Sequence, residues 1–131
     1  MAMQVLFWML GVLNVANGLW MLLEPERWYH DLPAGVPDTG PLNLHFVRDI
    51  GATFTTIGVA FCVAAVRPGA RRGVLLGAAL FFALHAGVHI ADLATGRLAA
   101  DHWLIDLPGV FLPAVLLLVL CLPRWWRPEE R

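Results

Sequence analysis

The sequence is short of charge. Only 15% of its 131 residues are Asp, Glu, Lys or Arg, where a soluble domain carries about a quarter. Lysine is absent, so all nine basic residues are arginines. Against ten acids they leave a formal net charge of −1, which excludes a basic nucleic-acid binder; no nucleic-acid partner is expected. Two cysteines, Cys62 and Cys121, are too few for a disulfide-rich scaffold. They form no CxxC and read as small buried thiols. Alternating strand patterns, internal repeats and low-complexity segments are missing as well.

What fills the chain is apolar: 59% of residues are hydrophobic and the mean hydropathy is +0.67. That excludes a disordered chain and leaves a small polytopic membrane protein. One domain over residues 1–131 is expected at this length. Crossing a hydrocarbon core of about 30 Å takes roughly 20 helical residues. Four stretches meet or approach that length, at about 3–23, 43–66, 73–94 and 103–122. Helices satisfy their own backbone groups in lipid, so the expected fold is all-α, a four-helix transmembrane bundle with antiparallel neighbours.

Punctuation marks the ends. Glu24-Pro25 stops the first span, and Pro41 or Asn43 opens the second as an N1 proline or an N-cap. Arg67-Pro68-Gly69 stops the second, Gly96 closes the third, and Asp101 caps the fourth. Pro108 and Pro113 bend the fourth, Pro123 ends it, and Trp125-Trp126 anchor it at the interface. Ala16-Asn17-Gly18 resembles a cleavage site. No basic residue precedes the apolar run, however, and Leu19–Leu23 prolongs it, which reads as an uncleaved transmembrane helix.

Arginine placement gives the orientation. Arg67, Arg71, Arg72, Arg124, Arg127 and Arg131 fall on one side, and Arg27, Arg48 and Arg97 on the other. Six against three supports N-in, C-in topology in a bacterial inner membrane, multi-pass, with the lipid bilayer as the first partner. Small residues supply close packing: Gly11 and Gly18 in the first span, Gly51, Thr55 and Gly58 in the second, and a Gly73/Gly77 GxxxG in the third. Packing within the chain is the main expectation for these. A homodimer, or another membrane-protein partner, is the second.

Ionisable residues inside spans mark function by default. His45 and Asp49 are spaced i,i+4 with Arg48 beside them, and His85, His89 and Asp92 fall on one face of the third span. Asn14 and Asn17 add amides in the first span, and Asp106 lies in the first turn of the fourth. At about 1.5 Å rise per residue, Asp49 and His89 both lie about 9 Å below the outer ends of their helices. The cluster therefore opens towards the non-cytoplasmic face.

Three readings of it stand. In the first, a satisfied network of Arg48, the carboxylates, the imidazoles and the amides fixes helix register, as in a non-catalytic accessory subunit. In the second, His85, His89 and Asp49 bind a metal, against which Arg48 is a permanent cation. In the third, His45, Arg48, Asp49, His85, His89, Asp92 and Asn17 line a pocket for a small ligand such as a quinone headgroup, walled by Phe46, Phe81, Phe82 and Trp103. A bis-histidine haem fits poorly, because His45 stands about 6 Å shallower than His89. His30 and His102 read as solvated or interfacial loop residues, and segment 24–42, with Trp28-Tyr29, as a lid or an amphipathic surface stretch.

The segments Gly18-Leu-Trp-Met-Leu-Leu-Glu-Pro-Glu-Arg-Trp-Tyr, Asn43-Leu-His-Phe-Val-Arg-Asp-Ile-Gly51 and Leu84-His-Ala-Gly-Val-His-Ile-Ala-Asp92 resemble a group of bacterial four-helix integral membrane proteins similar to the DoxX-like superfamily. The resemblance implies a four-helix membrane fold and, through some members, a link to quinone-dependent redox chemistry. It carries over no catalytic residue.

Overall fold

The computed structural model describes residues 1–122. The expected Trp125-Trp126 anchor, Pro123 and the Arg124, Arg127 and Arg131 group lie outside the described residues. Among the described residues every regular element is helical. Three stretches, Ala2–Leu23, Leu44–Val66 and Pro68–Ala94, are long and apolar enough to cross a membrane. Contacts divide the chain into two compact units, Met1–Val74 and a second beginning at Leu75.

The first unit is built on α1 (Ala2–Leu23) and α3 (Leu44–Val66), joined by the short α2 (Pro25–Asp31) and a 3-10 turn at Val36–Thr39. α1 and α3 run antiparallel and pack closely. Their glycines explain how close. Gly11 faces Gly58 and Gly18 faces Gly51, each pair seven residues from the next along both helices. A methyl group on Gly11 would sit 3.0 Å from the Gly58 carbonyl oxygen, and one on Gly18 would sit 2.6 Å from that of Gly51. Only a bare Cα lets the two backbones approach this far. Phe7 and Phe61 meet edge to face at 5.5 Å between ring centres and are fully buried.

The ends follow local chemistry. Asn43 caps α3, its Oδ1 accepting from the Phe46 N–H at 3.1 Å. Pro68 cannot extend α3, and its last carbonyls would be orphans. Arg71 covers them, donating from Nε to the Ala64 oxygen and from Nη2 to the Ala65 oxygen, both at 3.0 Å. The same guanidinium lies 5.9 Å over the Phe7 ring. Arg71 therefore ties α3 and α1 together as well as carrying a charge. Segment 24–42 is ordered by two aromatic side chains: the Tyr29 hydroxyl donates to the Gly40 carbonyl at 2.7 Å, and Trp28 Nε1 donates to Asn17 Oδ1 at 2.9 Å.

α4 (Arg71–Ala94) begins in the first unit and supplies the first helix of the second. Gly96, at φ 72°, closes it, and the chain turns back so that the Arg97 N–H reaches the Asp92 carbonyl at 2.9 Å. Gly73 and Gly77 differ from the glycines of α1 and α3: among the described residues a methyl group at either meets nothing within 4 Å. The expected close packing within the chain holds for the glycines of the first two spans.

The expected fourth span is not one continuous helix of membrane length. It is segmented into α5 (His102–Ile105), a π-helical turn at Leu107–Phe111, and α6 (Leu112–Leu120). Proline is the cause. Pro113 has no N–H for the Gly109 carbonyl, and its ring crowds that oxygen. The preceding turn widens: the Phe111 N–H reaches back five residues to the Asp106 carbonyl at 3.2 Å, and the Leu112 N–H to that of Leu107. Asp101 stands at the N-cap position of α5 but makes no side-chain capping bond.

Candidate functional site

The second unit gathers imidazoles around a buried carboxylate. His89 projects from α4, and its Nδ1 lies 2.8 Å from Asp106 Oδ2. Asp106 sits between α5 and the widened turn, and its side chain is 2% exposed. His102, one helical turn earlier and also 2% exposed, places its Nδ1 3.7 Å from the same oxygen. His85 meets His89 edge to face at 4.9 Å, and Phe81 lies parallel to the His85 ring at 6.0 Å. Trp103 stacks on Phe111 at 5.1 Å.

The electrostatics follow from the donor inventory. An ionised carboxylate only accepts, so the hydrogen between Asp106 and His89 sits on Nδ1. This fixes the ring orientation and its tautomer, leaving Nε2 as the nitrogen with the free lone pair. His89 keeps 16% of its side-chain surface exposed, against 2% for Asp106, so the dyad is more deeply buried at the carboxylate than at the imidazole. Burying a carboxylate this deeply is costly unless it is bonded. His89 meets that need directly, while His102 Nδ1, at 3.7 Å, stands beyond hydrogen-bond distance.

The residues expected to form a site fall in both units, and each unit gives its own members their partners. His85 and His89 join the cluster just described. Asp92 takes Arg97 as its cation, Oδ1 to Nη1 at 3.2 Å, in an exposed pair near the end of α4. In the first unit His45 Nε2 lies 3.4 Å from Asp49 Oδ2, on side chains 88% and 61% exposed. Arg48 lines an open groove where α1 ends and α3 begins. Asn17 is held by Trp28, and its Nδ2 donates weakly to Met21 Sδ at 3.9 Å.

Among the described residues no group of three or more His, Cys, Asp or Glu side chains is arranged to hold a metal ion. The geometry at Asp106 shows why. His89 spends its Nδ1 on the carboxylate and the His102 ring nitrogen nearest that oxygen stands 3.7 Å away, so the side chains do not surround a common centre.

Asp106 and His102 carry the cluster; the expected polar constellation includes Asp106, though not among the pocket-lining residues, and His102 belongs to neither set. Reading His102 as a solvated loop residue is corrected here: it is buried. A signal was available. His102-Trp-Leu-Ile-Asp106 repeats the His-x-x-x-Asp spacing of His45-Phe-Val-Arg-Asp49, and that spacing places both side chains on one helix face.

No family model matches the chain, and no curated protein or solved structure matches it either.

Proposed function

We propose that this chain is a multi-pass protein of a bacterial inner membrane that binds the polar head of a small amphipathic molecule, quinone-like in chemistry, at His89. The topology we assign is four membrane segments, N-in and C-in, on the arginine asymmetry. The resemblance to DoxX-like proteins agrees with that ligand class. The observation that carries the proposal is the bond between His89 Nδ1 and the buried Asp106 carboxylate at 2.8 Å.

The chain's own groups have clear roles in this reading. Asp106 holds the imidazole and balances its charge when it is protonated. Nε2 of neutral His89 accepts a hydrogen bond from a ligand hydroxyl, and once protonated it donates to a carbonyl oxygen. One group therefore serves both redox forms of such a headgroup. A quinone, when bound, would supply the electron chemistry. His102 adds a second base beside the same carboxylate, and the exposed Trp103 offers an aromatic surface that suits a planar ring.

The deep burial of Asp106 and His102 favours one other reading, in which the cluster only locks α4 to the last segment of an accessory subunit. Binding of a short-chain quinone analogue to detergent-purified protein, followed by intrinsic tryptophan fluorescence, separates the two. We expect saturable binding to the wild type and at least about a tenfold weaker Kd for His89→Ala, as loss of one charge-assisted hydrogen bond implies, with helical content unchanged. Absence of saturable binding to the wild type, with His89→Ala lowering only the melting temperature, would leave the structural reading in place.

A further inference from the structure

We infer that the groove where α1 ends and α3 begins is a site for one zwitterionic phospholipid headgroup carrying a primary ammonium, of the phosphoethanolamine type. The inference rests on α1 and α3 spanning the membrane and is independent of the His89 proposal.

The groove encloses about 250 Å³. Leu23 and Leu44 form its apolar part, and Glu24, Glu26, Arg27 and Arg48 its charged part. Both leucines are exposed, at the termini of two membrane-length helices. Here acyl chains give way to headgroups. The charges then select the head. Arg27 is already engaged, its Nη1 lying 3.2 Å and 3.3 Å from the two Glu24 oxygens. That pair is neutral. Arg48 and Glu26 remain, both exposed, and neither has an ionic or hydrogen-bonded partner among the described residues.

One unpaired cation and one unpaired anion in a single groove match a ligand that carries both signs. The Arg48 guanidinium suits the phosphate oxygens, which it can meet with two parallel N–H donors. The Glu26 carboxylate suits an ammonium that still has hydrogens to donate. A trimethylated choline has none, so Glu26 discriminates between the two zwitterionic heads. A purely anionic lipid would satisfy Arg48 and bring its negative charge against Glu26.

The test uses full-length protein reconstituted in bilayers of equal parts phosphatidylethanolamine, phosphatidylcholine and phosphatidylglycerol, then gently extracted and weighed intact with its retained lipids. The wild type should retain phosphatidylethanolamine above both others. Arg48→Gln should lower that retention about tenfold, since it removes charge-assisted bonds. Glu26→Gln should keep phospholipid but lose the preference for ethanolamine over choline. Both positions are exposed, and circular dichroism verifies that each variant is folded. Three outcomes would overturn the inference: equal retention of all three lipids by the wild type, preference for phosphatidylglycerol, or variants indistinguishable from the wild type. Inorganic phosphate added during extraction is the remaining arm. Displacement of the lipid by phosphate at low concentration would assign the groove to a free anion instead, whereas a failure to displace supports the headgroup.

Discussion

Replacing Gly18 by alanine tests how α1 and α3 are held together. The added methyl would lie 2.5 Å from the Thr55 backbone nitrogen and 2.6 Å from the Gly51 carbonyl oxygen, against an ordinary contact of 3.4 Å or more. It would also collide with the Thr55 hydroxyl. Two of these neighbours are backbone atoms, so no rotamer change relieves them. The helices must move apart by most of an ångström. Overpacking of this kind costs about 1–3 kcal/mol. Separation also weakens the neighbouring Gly11–Gly58 contact, because a gap of about 0.5–1 Å forfeits a quarter to a half of a dispersion well. Alanine returns about 0.5–1 kcal/mol through its better helix propensity. The expected net effect is a loss of about 1–2 kcal/mol.

Gly77→Ala is the matched control. Its methyl meets nothing within 4 Å among the described residues, so only the propensity gain remains and the protein should hold or rise slightly in stability. The assay is equilibrium unfolding in mixed detergent micelles, titrated with dodecyl sulfate and followed by circular dichroism. Opposite signs for the two substitutions are expected. Wild-type stability for Gly18→Ala, or equal losses for both variants, would refute the reasoning.

Two further outcomes follow from the capping and loop contacts. Arg71→Ala leaves the Ala64 and Ala65 carbonyls without their guanidinium donor and should cost about 1–3 kcal/mol in the same unfolding assay; Arg71→Lys should recover only part of it, because a single ammonium lacks the planar fork. Tyr29→Phe removes the bond to the Gly40 carbonyl and should cost about 0.5–1.5 kcal/mol, read most directly as faster proteolytic nicking within residues 24–42 while cleavage elsewhere is unchanged.

The helices were legible because their signals are local. Asn43 and Gly96 act where a cap and a closing glycine are expected, and Glu24-Pro25 and Arg67-Pro68 stop the helices they follow. The four glycines of α1 and α3 were also readable as a packing surface, since their spacing puts them on one face of each helix. The partners of the polar groups were not. Which carboxylate meets His89 depends on the turn at Gly96 and on the path of the chain after it, and no helical spacing within α4 contains that information. Asp92 shares a face with His89 by periodicity, yet the return of the chain gives it Arg97 and gives His89 Asp106. The last segment misled for a related reason. Its composition is as apolar as that of a full span, while two prolines control its hydrogen bonding.

The widened turn after Asp106 has a geometric effect of its own. His102, Asp106, Val110 and Ala114 are all buried and recur every four residues. In a regular α-helix each residue advances about 100°, so three steps of four drift by about 120°, and the series would spiral off any single side. A stretch that takes more residues per turn slows this drift and brings the four side chains back into phase. The carboxylate thus shares an azimuth with the apolar residues that follow it, set by a proline several positions further along the chain.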